Sequence, residues 1–148
     1  MSKQNEHKNP VPTVDTIIDN NSQVLFIKRI KEPFEGKMVF PGGFIKIGET
    51  AEEAAIREVK EETSLDVELD HILGVYSDPN RDFRHHSVEV AHIAKAYKGP
   101  TPGDDAAKAF IVKLEDIPWS ELAFDHAQVL RDYIEWRNGN AALTMPQP

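Results

Sequence analysis

Between Gly48 and Thr63 the chain reads GETAEEAAIREVKEET, where six glutamates (Glu49, Glu52, Glu53, Glu58, Glu61, Glu62) face only two cations, Arg57 and Lys60. Thr50 followed three residues later by Glu53 is a capping box, so a helix over Ala51–Glu62 is expected. Successive residues turn by about 100°. Measured from Glu58, Glu62 falls about 40° to one side and Glu61 about 60° to the other, and Ala51, Ala54 and Ala55 lie within about 60° of the same direction. Glu52, Glu53, Ile56, Lys60 and Thr63 point away.

The glutamates therefore form two sets. A solvated amphipathic helix puts its acids opposite its apolar stripe, yet Glu58, Glu61 and Glu62 run along the alanine stripe. They also lie in the C-terminal half, where the helix dipole disfavours negative charge. Brought close to a neighbouring element, they would raise one another's pKa unless a hard divalent cation compensated. An ordinary solvated face stays open as an alternative, because the side carrying Ile56 can equally be the one that packs on the core.

With 148 residues and no cysteine, the chain is expected to form one domain held by a hydrophobic core rather than by disulfides or thiolate metal sites. Residues 1–10 and 139–148 read as flexible tails around a domain over 11–138. No apolar run approaches the ~20 residues of a membrane span. MSKQNEHKNP lacks a signal-peptide core, so the cytoplasm is the expected compartment. The net charge of −8 argues against nucleic acid and anionic membrane as partners. A phosphate-bearing ligand would need cations to bridge acid to acid.

Along the domain, Thr13–Asp19 and Gln23–Ile30 read as strands joined through Asp19-Asn20-Asn21. Lys37–Phe40 reads as a short strand stopped by Pro41-Gly42-Gly43. Val67–Tyr76, Ser87–Tyr97 and Ala109–Leu114 read as further strands. Phe124–Arg137 reads as a second helix, with Ala127, Leu130 and Ile134 on one face. Strands on both sides of a central helix, with another helix at the end, predict layered α/β architecture.

From Gly43 the chain runs GFIKIGETAEEAAIREVKEETSL. This resembles the box of the Nudix hydrolases: Gly, five residues, Glu, seven residues, then Arg-Glu-apolar-any-Glu-Glu-any-Gly-apolar. The one departure is Ser64 in place of the last glycine, a helix-ending position where positive φ is common. The resemblance implies a Nudix-type α/β/α sandwich with a mixed central β-sheet. It implies Glu58, Glu61, Glu62 and the Gly43 carbonyl as ligands of Mg²⁺ or Mn²⁺, with Arg57 orienting the carboxylates and Glu49 supporting them. Glu58, Glu61, Glu62 and Arg57 become the implied catalytic residues. The implied reaction is hydrolysis of a nucleoside diphosphate linked to a further group.

Val75–Arg84, VYSDPNRDFR, resembles the segment that follows the box in ADP-ribose pyrophosphatases, with Phe83 where a second proline is usual, and the ending AFDHAQVL resembles the same subfamily. ADP-ribose is thus the implied substrate, cleaved to AMP and ribose 5-phosphate. Arg81 and Arg84 are candidates for phosphate or ribose contacts, and Phe83 or Tyr76 for stacking on adenine; a mobile surface loop is the alternative. His85 and His86, being adjacent, would face opposite ways on a strand. His126 is placed either to help close the site or to pack at the start of the second helix. GDDAAKA, Gly103–Ala109, carries Lys108 where a related pattern has Glu, which leaves Asp104, Asp105 or Glu89 as a further base or ligand, or else Glu61 or Glu62 as the base. The alternatives are a nucleoside triphosphate pyrophosphatase and a non-catalytic ADP-ribose sensor. By the same resemblance, a homodimer is an expected assembly.

Overall fold

The protein is seen here as a computed structural model that describes residues 8–98 and 109–139; Asp104, Asp105 and Lys108 lie outside the described residues. The hairpin forms from β1 (Val11–Asn20) and β2 (Gln23–Lys28). Its turn falls at Asn21-Ser22, not at Asp19–Asn21. Asn20 pairs with Gln23, and Asn21 and Ser22 both take positive φ (56° and 63°), as a two-residue type I′ loop requires.

β3 (Met38–Val39) follows, and then a strand not anticipated from the sequence, β4 (Gly42–Phe44). Pro41-Gly42-Gly43 does not simply end β3. It returns the chain antiparallel to β1, pairing Val14 with Gly43 and Asp15 with Gly42. A Cβ at Gly42 would collide with the Val14 carbonyl and the Asp15 carboxylate, so this approach needs glycine.

Helix α1 (Ala51–Thr63) is capped by Thr50, with both arms of the capping box present. β5 (Asp66–Tyr76), β6 (Ser87–Lys98), β7 (Ala109–Lys113) and α2 (His126–Arg137) follow among the described residues, with two short 3-10 turns between β7 and α2. The sheet order is β3-β2-β1-β6-β5, with β4 on β1 and β7 on β2. Only the β1–β6 pairing is parallel among the described strands, so the sheet is mixed.

Alternation along the strands assigns the layers. Ile17, Val24, Phe26, Ala91 and Ile93 pack with Val129, Leu130 and Tyr133 of α2. On the opposite face, Ile18, Leu25, Ile27 and Ala94 pack with Val59 of α1, and Val14 packs with Ala54 and Ala55. One helix thus covers each face, giving the expected α/β/α sandwich. The alanine side of α1 is the core side. Ile56, the residue that favoured the other side, is 40% exposed.

Candidate active site

The alanine stripe brings α1 against β4 and β1, and the glutamates of that side come with it. A Cβ at Gly43 would lie 2.6 Å from the Glu58 carboxyl carbon, so the bare backbone of residue 43 and this carboxylate are in direct contact. Glu62 Oε1 accepts the Gly42 N–H at 2.9 Å. The Glu58 side chain is 16% exposed and that of Glu61 54%.

Arg57 is the organising cation. Nε and Nη2 donate to the two Glu49 oxygens at 2.6 and 2.9 Å, Nη1 to Glu58 at 2.8 Å and to Glu61 at 3.3 Å, and Nη2 also to the Phe44 carbonyl at 3.0 Å. A planar fork with five N–H groups can serve this many acceptors where an ammonium cannot. The Arg57 hydrogen bonds, with the Lys46 N–H, hold Glu49 down to about 2.

Behind the box lies a cleft of about 250 Å³ lined by Gly42, Gly43, Glu62 and by residues of β1, β6 and the α2 start. Its floor follows from strand alternation. Thr13 and Asp15 of β1, with Ser87 and Glu89 of β6, lie on the α2 face of the sheet. Further along that face come Ile17, Ala91 and Ile93. The same face is polar under the cleft and apolar under α2.

Asp15, Glu89 and His126 are all buried, with one ligating atom from each within 4.8 Å of the others. Arg81 joins them with a side chain only 5% exposed. It makes a two-pronged pair with Asp125 (2.9 and 2.7 Å), donates to Ser87 Oγ at 2.7 Å and lies 3.2 Å from Glu89 Oε1. His126 Nδ1 accepts the Phe40 N–H at 3.2 Å, which leaves the ring proton on Nε2, 2.9 Å from Asp15 Oδ2. Burial holds His126 neutral by lowering its pKa. Asp15, Glu89 and Asp125 then share one guanidinium. Burial pushes Asp15 up to about 7, and burial together with the Asp15 charge pushes Glu89 well up. The Asp15–Glu89 pair therefore holds a proton where isolated carboxyls would be ionised.

At the mouth, Arg84 is held by both oxygens of the buried Asp82 (3.0 and 2.8 Å) and lies over the Phe124 ring, which Arg29 also faces. Phe34 packs edge-on to Phe124 at 4.8 Å, and Phe83, 75% exposed, stands beside Phe34.

The structure thus brings together Gly43, Glu49, Arg57, Glu58, Glu61 and Glu62, and places Arg84 and Glu89 on the adjoining cleft. Arg81 lines the same cleft as a buried strut between the Asp78–Arg84 loop, β6 and α2. Tyr76 does not line it; its ring packs on the main core and its hydroxyl donates to Asp132 at 2.8 Å. His85 reaches the cleft, whereas His86 Nε2 lies 2.9 Å from the Ser77 carbonyl. Asp15, Arg29 and Phe124 were missed from the sequence. The available signal for Asp15 was a carboxylate inside the apolar run TVDTII; Arg29 and Phe124 carry none that local pattern reveals.

Residues 9–136 match the NUDIX domain. The chain is 42% identical over 140 residues to an ADP-ribose pyrophosphatase of Methanocaldococcus jannaschii, covering 94% of this chain and 82% of the relative. Among solved structures, a NUDIX hydrolase from Nitrosomonas europaea superposes with a TM-score of 0.79 at 29% identity, covering 94% of this chain and 78% of that one. The NUDIX domain of Shewanella oneidensis NrtR, solved in complex with ADP ribose, does so at 0.76 and 27%, covering 88% and 90%. The glutamates gathered on the alanine side of α1 are the helical part of a signature that extends over the whole fold, and the chain belongs to the Nudix hydrolase family.

Proposed function

We propose that this Nudix hydrolase cleaves the pyrophosphate linkage of ADP-ribose to AMP and ribose 5-phosphate, with Mg²⁺ or Mn²⁺ held by Glu58, Glu61, Glu62 and the Gly43 carbonyl. The observation that carries the reading is the shared cleft. Gly43 and the Glu62 carboxylate of the box line it together with two guanidinium groups, Arg29 and Arg84. The likeness to an ADP-ribose pyrophosphatase over most of both chains supplies the substrate.

The residues fit such a cation. The donors are hard oxygens, the chain has no thiolate to compete, and the Glu58 carboxylate lies against the bare backbone of Gly43. A bound divalent ion supplies charge neutralisation at the pyrophosphate and acidifies water. The protein's own groups do the rest. Arg57 holds Glu58 and Glu61 together through Nη1. Arg29 and Arg84 hold phosphate oxygens. Glu62, oriented by the Gly42 N–H, takes the proton of the water that attacks phosphorus as the bridging oxygen leaves with the other phosphate.

The test is turnover by the purified protein with and without Mg²⁺ on ADP-ribose, NADH, diadenosine polyphosphates and nucleoside triphosphates. ADP-ribose is expected to be the preferred substrate, and Glu62→Gln to lower kcat by about 10³-fold. Preference for triphosphates overturns the substrate. Activity that survives Glu62→Gln overturns the site. Binding of ADP-ribose without hydrolysis makes the chain a sensor.

A further inference from the structure

The polar floor contains more hydrogen-bonding capacity than the protein uses. Among the described residues, Thr13 Oγ1 and Glu89 Oε2 are buried with no N–H or hydroxyl partner, and Asp15 Oδ2, though close to His126, makes no well-aligned bond; the proton shared between the Asp15 and Glu89 carboxyls meets only part of this capacity. Thr13 and Glu89 are register partners across the parallel β1–β6 ladder, so their side chains are neighbours on one face. Glu89 is the deeper of the two, with its side chain 4% exposed. An unmet acceptor at that depth costs about 1–3 kcal/mol, which a ligand group can recover.

Two carboxylates and an imidazole could suggest a second cation site, but the local chemistry opposes it. A metal on His126 Nε2 needs the lone pair there and the proton on Nδ1, whereas Nδ1 accepts the Phe40 N–H. Arg81 also lies 3.2 Å from Glu89 Oε1, so an ion would meet a guanidinium. Phe40, Phe44 and Phe124 line the same cleft, but the unmet floor atoms are carboxylate and hydroxyl oxygens, which the face of a flat base does not match. What matches adjacent acceptors beside a hydroxyl is a group that delivers neighbouring O–H donors and can also accept.

We propose that Thr13, Asp15 and Glu89 form a subsite for a ribose vicinal diol, with Arg81 and His126 positioning the two carboxyl groups. The proposal rests on the nucleotide-sugar reading of the cleft. Both halves of ADP-ribose carry such a diol, and the floor is the specificity element for one of them.

The experiment measures binding by calorimetry in Mg²⁺, without turnover, for the wild type, Thr13→Val and Glu89→Gln. The ligands are AMP, 2′-deoxy-AMP, ribose 5-phosphate and 2-deoxyribose 5-phosphate. The wild type is expected to prefer one hydroxylated ligand over its deoxy partner by about tenfold, and both variants to bring that ratio near one. The pair that responds identifies which ribose occupies the floor. No preference in the wild type, including no binding, overturns the proposal; so does a preference that survives in either folded variant, as a base-binding floor would give. Thr13→Val keeps the test decisive if Glu89→Gln does not fold. Failure of the wild type to hydrolyse ADP-ribose counts against the proposed function, and is read separately.

Discussion

Gly43 and Glu58 share one volume: a Cβ on residue 43 would lie 2.6 Å from the Glu58 carboxyl carbon and from its Oε1. Gly43 does not take a positive φ, so alanine is tolerated by the backbone but not by the carboxylate. Gly43→Ala should leave the fold intact by circular dichroism and displace Glu58. A fall in kcat/KM of about 10²-fold, with a raised Mg²⁺ requirement, is the expected result; unchanged Mg²⁺ dependence would separate this contact from the cation site.

Arg57 serves Glu49, Glu58, Glu61 and the Phe44 carbonyl at once. Arg57→Lys keeps the charge and loses the fork. Activity should drop at least about tenfold while the melting temperature moves little, because the network is close to solvent. With Glu49 held near 2, no acid limb from Glu49 is expected in the pH–rate profile between about pH 4 and 9.

Asp15 has the opposite displacement, from 3.8 to about 7. The folded state then binds a proton that the unfolded chain has released, so between about pH 4 and 7 this group lowers stability as pH rises. Asp15→Asn removes the penalty. It should raise stability by about 3 kcal/mol more at pH 8 than at pH 4.5. Denaturant midpoints at the two pH values measure this; equal effects at both would place the proton elsewhere.

Ser64 ends α1 in the left-handed region, with φ 64° and ψ 10°, its N–H bonded to the Lys60 carbonyl. This is the conformation that glycine adopts without strain, and the family position is a glycine. Ser64→Gly should stabilise the protein by about 0.5–1 kcal/mol in thermal unfolding and leave turnover unchanged.

The box could be read from the sequence because its chemistry is local. A capping box, a 100° step and an alanine stripe fix which glutamates share a face, and α1 forms with Ala54, Ala55 and Val59 buried. β4 was not legible because its two glycines read as a stop. Its existence depends on β1 coming close enough to use them, as the contact of Gly42 with Val14 and Asp15 shows.

Arg81 illustrates the same limit on function. In the sequence it is one arginine in a polar loop, next in kind to Arg84. In the fold Arg84 reaches the cleft mouth on Asp82, while Arg81 is buried with its guanidinium on Asp125, Ser87 and Glu89. Local composition is equal for the two; burial separates them.

By itself, the sequence determined the helix that carries the box, its cap and the two sets of glutamates, since each depends on residues within a few turns of one another. Only the tertiary structure decided that Asp15, Arg81, Glu89 and His126 meet. They come from β1, a loop, β6 and α2, and the parallel pairing of β1 with β6 sets Thr13 beside Glu89 across a separation that no short-range pattern encodes. Desolvation, which gives those carboxyls their raised proton affinity, is a property of what surrounds a residue after folding, not of its neighbours along the chain.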